Sequence, residues 1–83
     1  MVIVMDKSYD DNKKRFGEAV RKSRKKMGIT QLTLENDGII SRKGLSDIEN
    51  GKVDLHFETI CMLIQLFHIT PSELMSVFYD EKE

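Results

Sequence analysis

Apolar residues along this chain recur at helical spacing, and the punctuation between them falls at short intervals. Between residues 11 and 27, Phe16, Val20 and Met27 lie near one stripe with Ala19 and Ser23 beside it, and Gly28 follows as a C-terminal stop, which predicts a first helix over 11–27. Thr30 has the chemistry of an N-cap for a short second helix to about Asn36, with Leu34 pointing inward and Asp37-Gly38 ending it. Ser41 caps a third helix, in which Leu45 and Ile48 share the buried face and Asn50-Gly51 tolerates the left-handed turn at its end. Residues 56–68 place Phe57, Ile60, Leu63, Ile64 and Phe67 on one stripe, broadened by Cys61, Met62 and Leu66. Thr70-Pro71-Ser72-Glu73 reads as a cap with proline at the first helical position, opening a last helix through Leu74, Met75, Val77 and Phe78. The expectation is an all-α fold of five helices.

With one proline and no linker, repeat or low-complexity stretch, nothing divides the chain. The expected organisation is a flexible N-terminal arm at 1–10, one domain at 11–79 and an acidic tail at 80–83 that frays. At 83 residues the core is large enough to fold but leaves little room for a deep substrate pocket, so an enzyme is not expected. No nucleophile–base constellation stands out, and Cys61, on the apolar face of the fourth helix, reads as core. His56 and His68 stand twelve positions apart and the single cysteine has no partner; no metal and no cofactor are expected, and the setting is read as reduced and cytoplasmic. The apolar opening 1–5 is too short for a secretion signal, and no stretch approaches the roughly 20 apolar residues of a membrane span.

Charge changes the picture only when it is resolved along the chain. The formal total is −1, yet residues 13–26 carry eight bases against one acid, Glu18, while residues 53–83 carry six acids against one base, Lys82. A basic run of this kind is either a solvated helix face or one side of a phosphate-binding surface.

The second and third helices decide between these. Thr30-Gln31, Leu34, Ser41, Leu45 and Ile48-Glu49-Asn50-Gly51-Lys52 follow one another without a gap, flanked by Arg24 and Gly28-Ile29 before and by Thr59-Ile60, Leu63, Phe67, Ile69 and Glu73-Leu74 after. This pattern, over about residues 13–76, resembles the Xre-type helix-turn-helix family that includes the Cro and CI repressors of lambdoid phages. The resemblance implies a five-helix lambda-repressor-like DNA-binding domain with its helix-turn-helix at helices two and three, acting as a repressor-like transcriptional regulator on double-stranded operator DNA.

It also implies roles. Gln31 and Ser41 match phosphate-contacting positions, as do Asn50, Gly51 and Lys52, where relatives offer backbone amides and a lysine. Arg42, Lys43, Ser46 and Asp47 match positions that face base edges; arginine bonds guanine bidentately, and an aspartate either accepts from cytosine or steers Arg42 by pairing with it. Arg24 and Glu49 match positions that form a partly buried structural ion pair. Lys22, Lys25 and Lys26 are phosphate neighbours or a solvated face. Gly44, costing about 1 kcal/mol inside a helix, invites a reason such as close approach of DNA.

Four positions depart from the pattern. Glu35 stands where alanine is usual, so either helix two is rotated or the carboxylate leans out; Gly38 precedes the usual turn glycine, whose place falls to Ile39. Leu55 and Ile64 replace a proline and a small residue around helix four.

One such unit reads only a few base pairs, which favours a homodimer, with Met62, Leu66, Met75, Phe78 and Tyr79 as the expected interface unless they merely complete the core. Val2-Ile3-Val4 is either a strand-forming arm or a stretch ahead of a true start at Met5. The competing expectation is a protein-interaction module on the same fold, such as an antitoxin-type binder of a protein partner, to which Glu35 and the slight negative charge lend weight.

Overall fold

A computed structural model describes residues 5–78, with side chains described for residues 11–77. Five helices follow one another: α1 (Met5–Lys26), α2 (Gln31–Asn36), α3 (Arg42–Glu49), α4 (Phe57–Leu66) and α5 (Pro71–Phe78). No strand occurs among the described residues. α1 is the spine, packing against α3 along one side and α5 along another, while α2 lies on α3. The shared core takes Phe16 and Val20 from α1, Leu34 from α2, Leu45 and Ile48 from α3, Leu63, Phe67 and Ile69 from α4 and its exit, and Val77 from α5. Ala19, Ile60, Ile64 and Leu74 close around it, half-buried.

Three expectations change. Residues 5–10, read as part of an arm, are helical, so α1 begins six residues before Asp11. Met27 is 43% exposed and Phe57 is 78% exposed, so neither belongs to the core stripe that periodicity assigns it. Met27 follows the last residue of α1 and Phe57 is the first of α4, so both sit at helix boundaries, where periodicity is a weak guide to burial. Val2-Ile3-Val4, Tyr79 and the acidic tail, and the side chain of Phe78, lie outside the described residues.

The helix ends are chemically explicit. Thr30 Oγ1 accepts from the Thr33 amide at 3.1 Å and Ser41 Oγ from the Gly44 amide at 3.0 Å. At α5 the exchange is reciprocal: Thr70 Oγ1 accepts from the Glu73 amide, and Glu73 Oε1 accepts from the Thr70 amide at 2.9 Å, a complete capping box. α1, α2 and α3 each end in a left-handed glycine, Gly28, Gly38 and Gly51, and after each the next amide reaches back to the helix's third-last carbonyl. α4 ends the same way through His68, at φ +53°.

Candidate nucleic-acid interface

What fixes α2 and α3 relative to α1 is a buried polar joint. Arg24 Nε and Nη2 donate to Glu49 Oε2 and Oε1 at 2.7 and 3.1 Å, and Arg24 Nη1 donates to the Ile29 carbonyl at 2.8 Å. Gln31 Nε2 donates to the same Glu49 carboxylate at 3.1 Å. Arg24 and Glu49 are 7% and 6% exposed, so the end of α1, the start of α2 and the end of α3 meet at one buried, hydrogen-bonded charge pair. Beside it the backbones touch. A Cβ on Gly17 would collide with the Ile48 carbonyl oxygen and stand 2.7 Å from that of Glu49, and one on Gly51 would stand 2.9 Å from Lys14 Cα. Neither Gly17 nor its role is legible in the sequence, because the atoms that exclude a side chain lie some thirty positions away and are backbone.

The turn between α2 and α3 answers both departures there. Gly38 itself takes the left-handed conformation, at φ +72°, and Ile39 does not. The Gly38 and Ile39 amides close onto the Glu35 and Leu34 carbonyls, so the turn is an ordinary glycine-capped helix end. Glu35 is exposed, and its Oε2 accepts from the Arg42 amide at 2.9 Å. A carboxylate at the N-terminus of α3 satisfies one of its orphan donors and opposes the positive end of the helix dipole. Glu35 therefore ties α2 to α3.

The outer face of α3 carries the residues expected to meet DNA. Arg42 and Lys43 are exposed at its first turn, and the Arg42 guanidinium makes no hydrogen bond to a described residue. Asp47 pairs not with Arg42 but with Lys43, one turn back, at 3.2 Å. Asn50 Nδ2 donates to Ser46 Oγ at 3.4 Å. Gln31, Ser46 and Asn50 line one shallow polar concavity together with Arg21 and Lys25 of α1, two bases that nothing in the order of residues groups with α3. Ser41 uses its oxygen lone pair to cap Gly44, which leaves its hydroxyl hydrogen for an outside acceptor.

Two local features bear on these expectations. The Asn50, Gly51 and Lys52 amides bond inward to the Ser46, Ile48 and Asp47 carbonyls at 2.9–3.0 Å, closing the end of α3. The Asn50 and Lys52 side chains are exposed beside them. Gly44 has an internal reason to be glycine: its Cβ would press on the Ser41 hydroxyl, 2.9 Å away.

Of the expected interface residues, Met62 and Leu66 are half-buried against the core and Met75 is exposed. Met62 and Leu66 also line an apolar groove on α4 that continues onto Phe57. Among the described residues no helix is long and apolar enough to cross a membrane and no cluster of three His, Cys, Asp or Glu side chains could hold a metal.

Two short helices joined by a tight glycine turn, with the second helix's polar face left open and both locked to a long first helix, define the helix-turn-helix class of DNA-binding fold. The sequence profile of a helix-turn-helix domain family matches residues 17–78, and the chain belongs to that family. No curated protein and no solved structure matches it significantly.

Proposed function

We propose that the protein is an Xre-type, Cro/CI-like transcriptional repressor that binds operator DNA as a homodimer, with α3 in the major groove. The observation that carries this reading is the division of labour within α3. Leu45, Ile48 and Glu49 are buried and hold the helix in place, while Arg42 and Lys43 are exposed and Ser46 and Asp47 half-buried. In this reading Arg42 reads a base edge, its guanidinium being uncommitted; Lys43 and Asp47, already paired with each other, exchange that bond for bonds in the groove. Ser41, Gln31, Asn50 and Lys52 hold phosphates around them, with Gly51 serving the close approach of α3 to α1.

Selection of duplexes from random DNA, followed by titration of the selected site at several salt concentrations, tests the reading. Binding that tightens at low salt and favours one sequence is expected; no binding to any duplex at low salt would overturn it. Arg42→Ala should cost about 1–3 kcal/mol on the selected site and relax preference at one base pair, whereas Lys52→Ala should weaken all duplexes alike and lower the salt slope by about 1. Equal, sequence-independent losses from both would remove Arg42 as a base reader.

A second reading has one specific observation in its favour. Glu35 and the Lys43–Asp47 pair partly neutralise the first turns of α3, which suits a protein partner better than a polyanion. Capture of a protein partner that survives Arg42→Ala, together with absent DNA binding, is the outcome that would establish it.

A further inference from the structure

The basic run of α1 is not one patch. At 100° per residue, Lys14, Arg21 and Lys25 form one row along the helix, and Arg15, Lys22 and Lys26 form a second row of identical spacing about a quarter-turn away. Both rows border the groove toward α5, and only the first also reaches α3. Lys14 packs its backbone against Gly51 at the end of α3, and Arg21 and Lys25 share a concavity with Gln31, Ser46 and Asn50 and with the Arg24–Glu49 pair, whose charges cancel. Arg21 and Lys25 stand on the ridge of α1, since they also border the groove toward α5. Lys22 and Lys26, by contrast, lie near Glu73 of α5, where their charge helps to hold that carboxyl ionised, and Arg15 and Lys22 line the α5 groove without touching the α3 side. Among the described residues no carboxylate lies within ion-pair distance of Lys14, Arg21 or Lys25.

Resting on the DNA-binding reading, we propose that Lys14, Arg21 and Lys25 form a second phosphate track, which holds the DNA backbone along α1 while α3 occupies the adjoining groove. The row extends about 16 Å at 1.5 Å per residue. Phosphates follow one another every 3.4 Å of axis on each strand, so a length of about 16 Å spans several of them. Charge complementarity selects the occupant, and the row's position beside Gln31, Ser46 and Asn50 makes it continuous with the α3 face rather than a separate site.

The test removes equal charge from each row of the full chain. Lys14→Gln/Arg21→Gln/Lys25→Gln is compared with Arg15→Gln/Lys22→Gln/Lys26→Gln on a labelled mixed-sequence duplex, with Kd followed against salt and the thermal midpoint of each variant followed by circular dichroism. The first triple should lower the slope of log K against log salt by about 2–3, at about 0.9 for each phosphate no longer neutralised, and the second by less than about 1. Arg21→Gln alone, at an exposed position, should lower it by about 1 and keeps the proposal open to refutation if a triple variant unfolds. Wild-type binding with equal slopes for both triples would overturn the track while leaving the DNA-binding reading intact. Failure of the wild-type chain to bind the duplex at low salt would overturn both.

Discussion

Gly17 and Arg24 act on the same joint from opposite directions, one by what it lacks and the other by what it reaches. Gly17 lets the α1 backbone rest on the last carbonyls of α3, and no rotamer can relieve a Cβ that collides with the Ile48 carbonyl oxygen. Gly17→Ala should therefore destabilise the fold by about 2–3 kcal/mol, the overpacking cost, although alanine is the better helix former. Urea unfolding decides it, and a variant as stable as the parent would mean that α1 and α3 do not meet backbone to backbone. Arg24 matters because one guanidinium bonds both the Ile29 carbonyl ahead of α2 and the Glu49 carboxylate at the end of α3. Arg24→Met would leave Glu49 buried with only Gln31 as donor, for which about 3–5 kcal/mol is expected by denaturant titration. A loss below about 1 kcal/mol would show that the carboxylate reaches water once its partner is gone.

At the scale of elements, the helix starts are legible in the sequence and the helix-to-helix fit is not. Thr30, Ser41 and Thr70-Pro71 mark their helices because a cap is a local bond between a side chain and an amide three residues on, which residue order alone sets up. Glu35 reads as a defect because its partner, the Arg42 amide, belongs to the next helix. The start of α1 is hidden for a different reason: residues 5–10 carry only Met5 and Tyr9 as apolar positions, too few for a stripe. The α5 capping box also gives this element its own pH response. The Thr70 amide and hydroxyl, bonding to the ionised form, hold the Glu73 carboxyl below its ordinary value, and Lys26 and Lys22 add to the effect. Because the folded value is the lower one, the contribution is complete above the ordinary glutamate range and is lost as pH falls through it toward the lowered value. Glu73→Gln should accordingly flatten the acid side of the stability–pH curve while changing little at neutral pH beyond the weakened cap. A curve of unchanged shape would show that Glu73 is not bonded to Thr70 in solution.

Across the whole molecule the charge is polar: the open face of α3 and one row of α1 lie on one side, and the apolar groove of α4, with Phe57 at its end, lies on another element altogether. For the proposed dimer this separation is a requirement, because two copies of α3 must stand about 34–36 Å apart to enter successive major grooves, so the surface that joins them has to lie away from the reading face. Phe57 sharpens the choice of that surface. It is the most exposed large apolar side chain among the described residues, and it extends the groove that Met62 and Leu66 line, whereas Met75 is exposed on α5. Phe57→Ser and Met75→Lys both change exposed positions and should leave the fold's stability within about 0.5 kcal/mol of the parent, so a change in assembly can be read directly. In sedimentation equilibrium the variant on the true interface should shift the chain from dimer to monomer and, by uncoupling the half-sites, weaken binding to a two-half-site operator far more than binding to a single half-site. A monomeric Phe57→Ser chain beside a dimeric Met75→Lys chain would assign the joining surface to α4, and the reverse would assign it to α5. A parent chain that sediments as a monomer even when bound to its selected duplex would remove the dimer from the proposed mechanism.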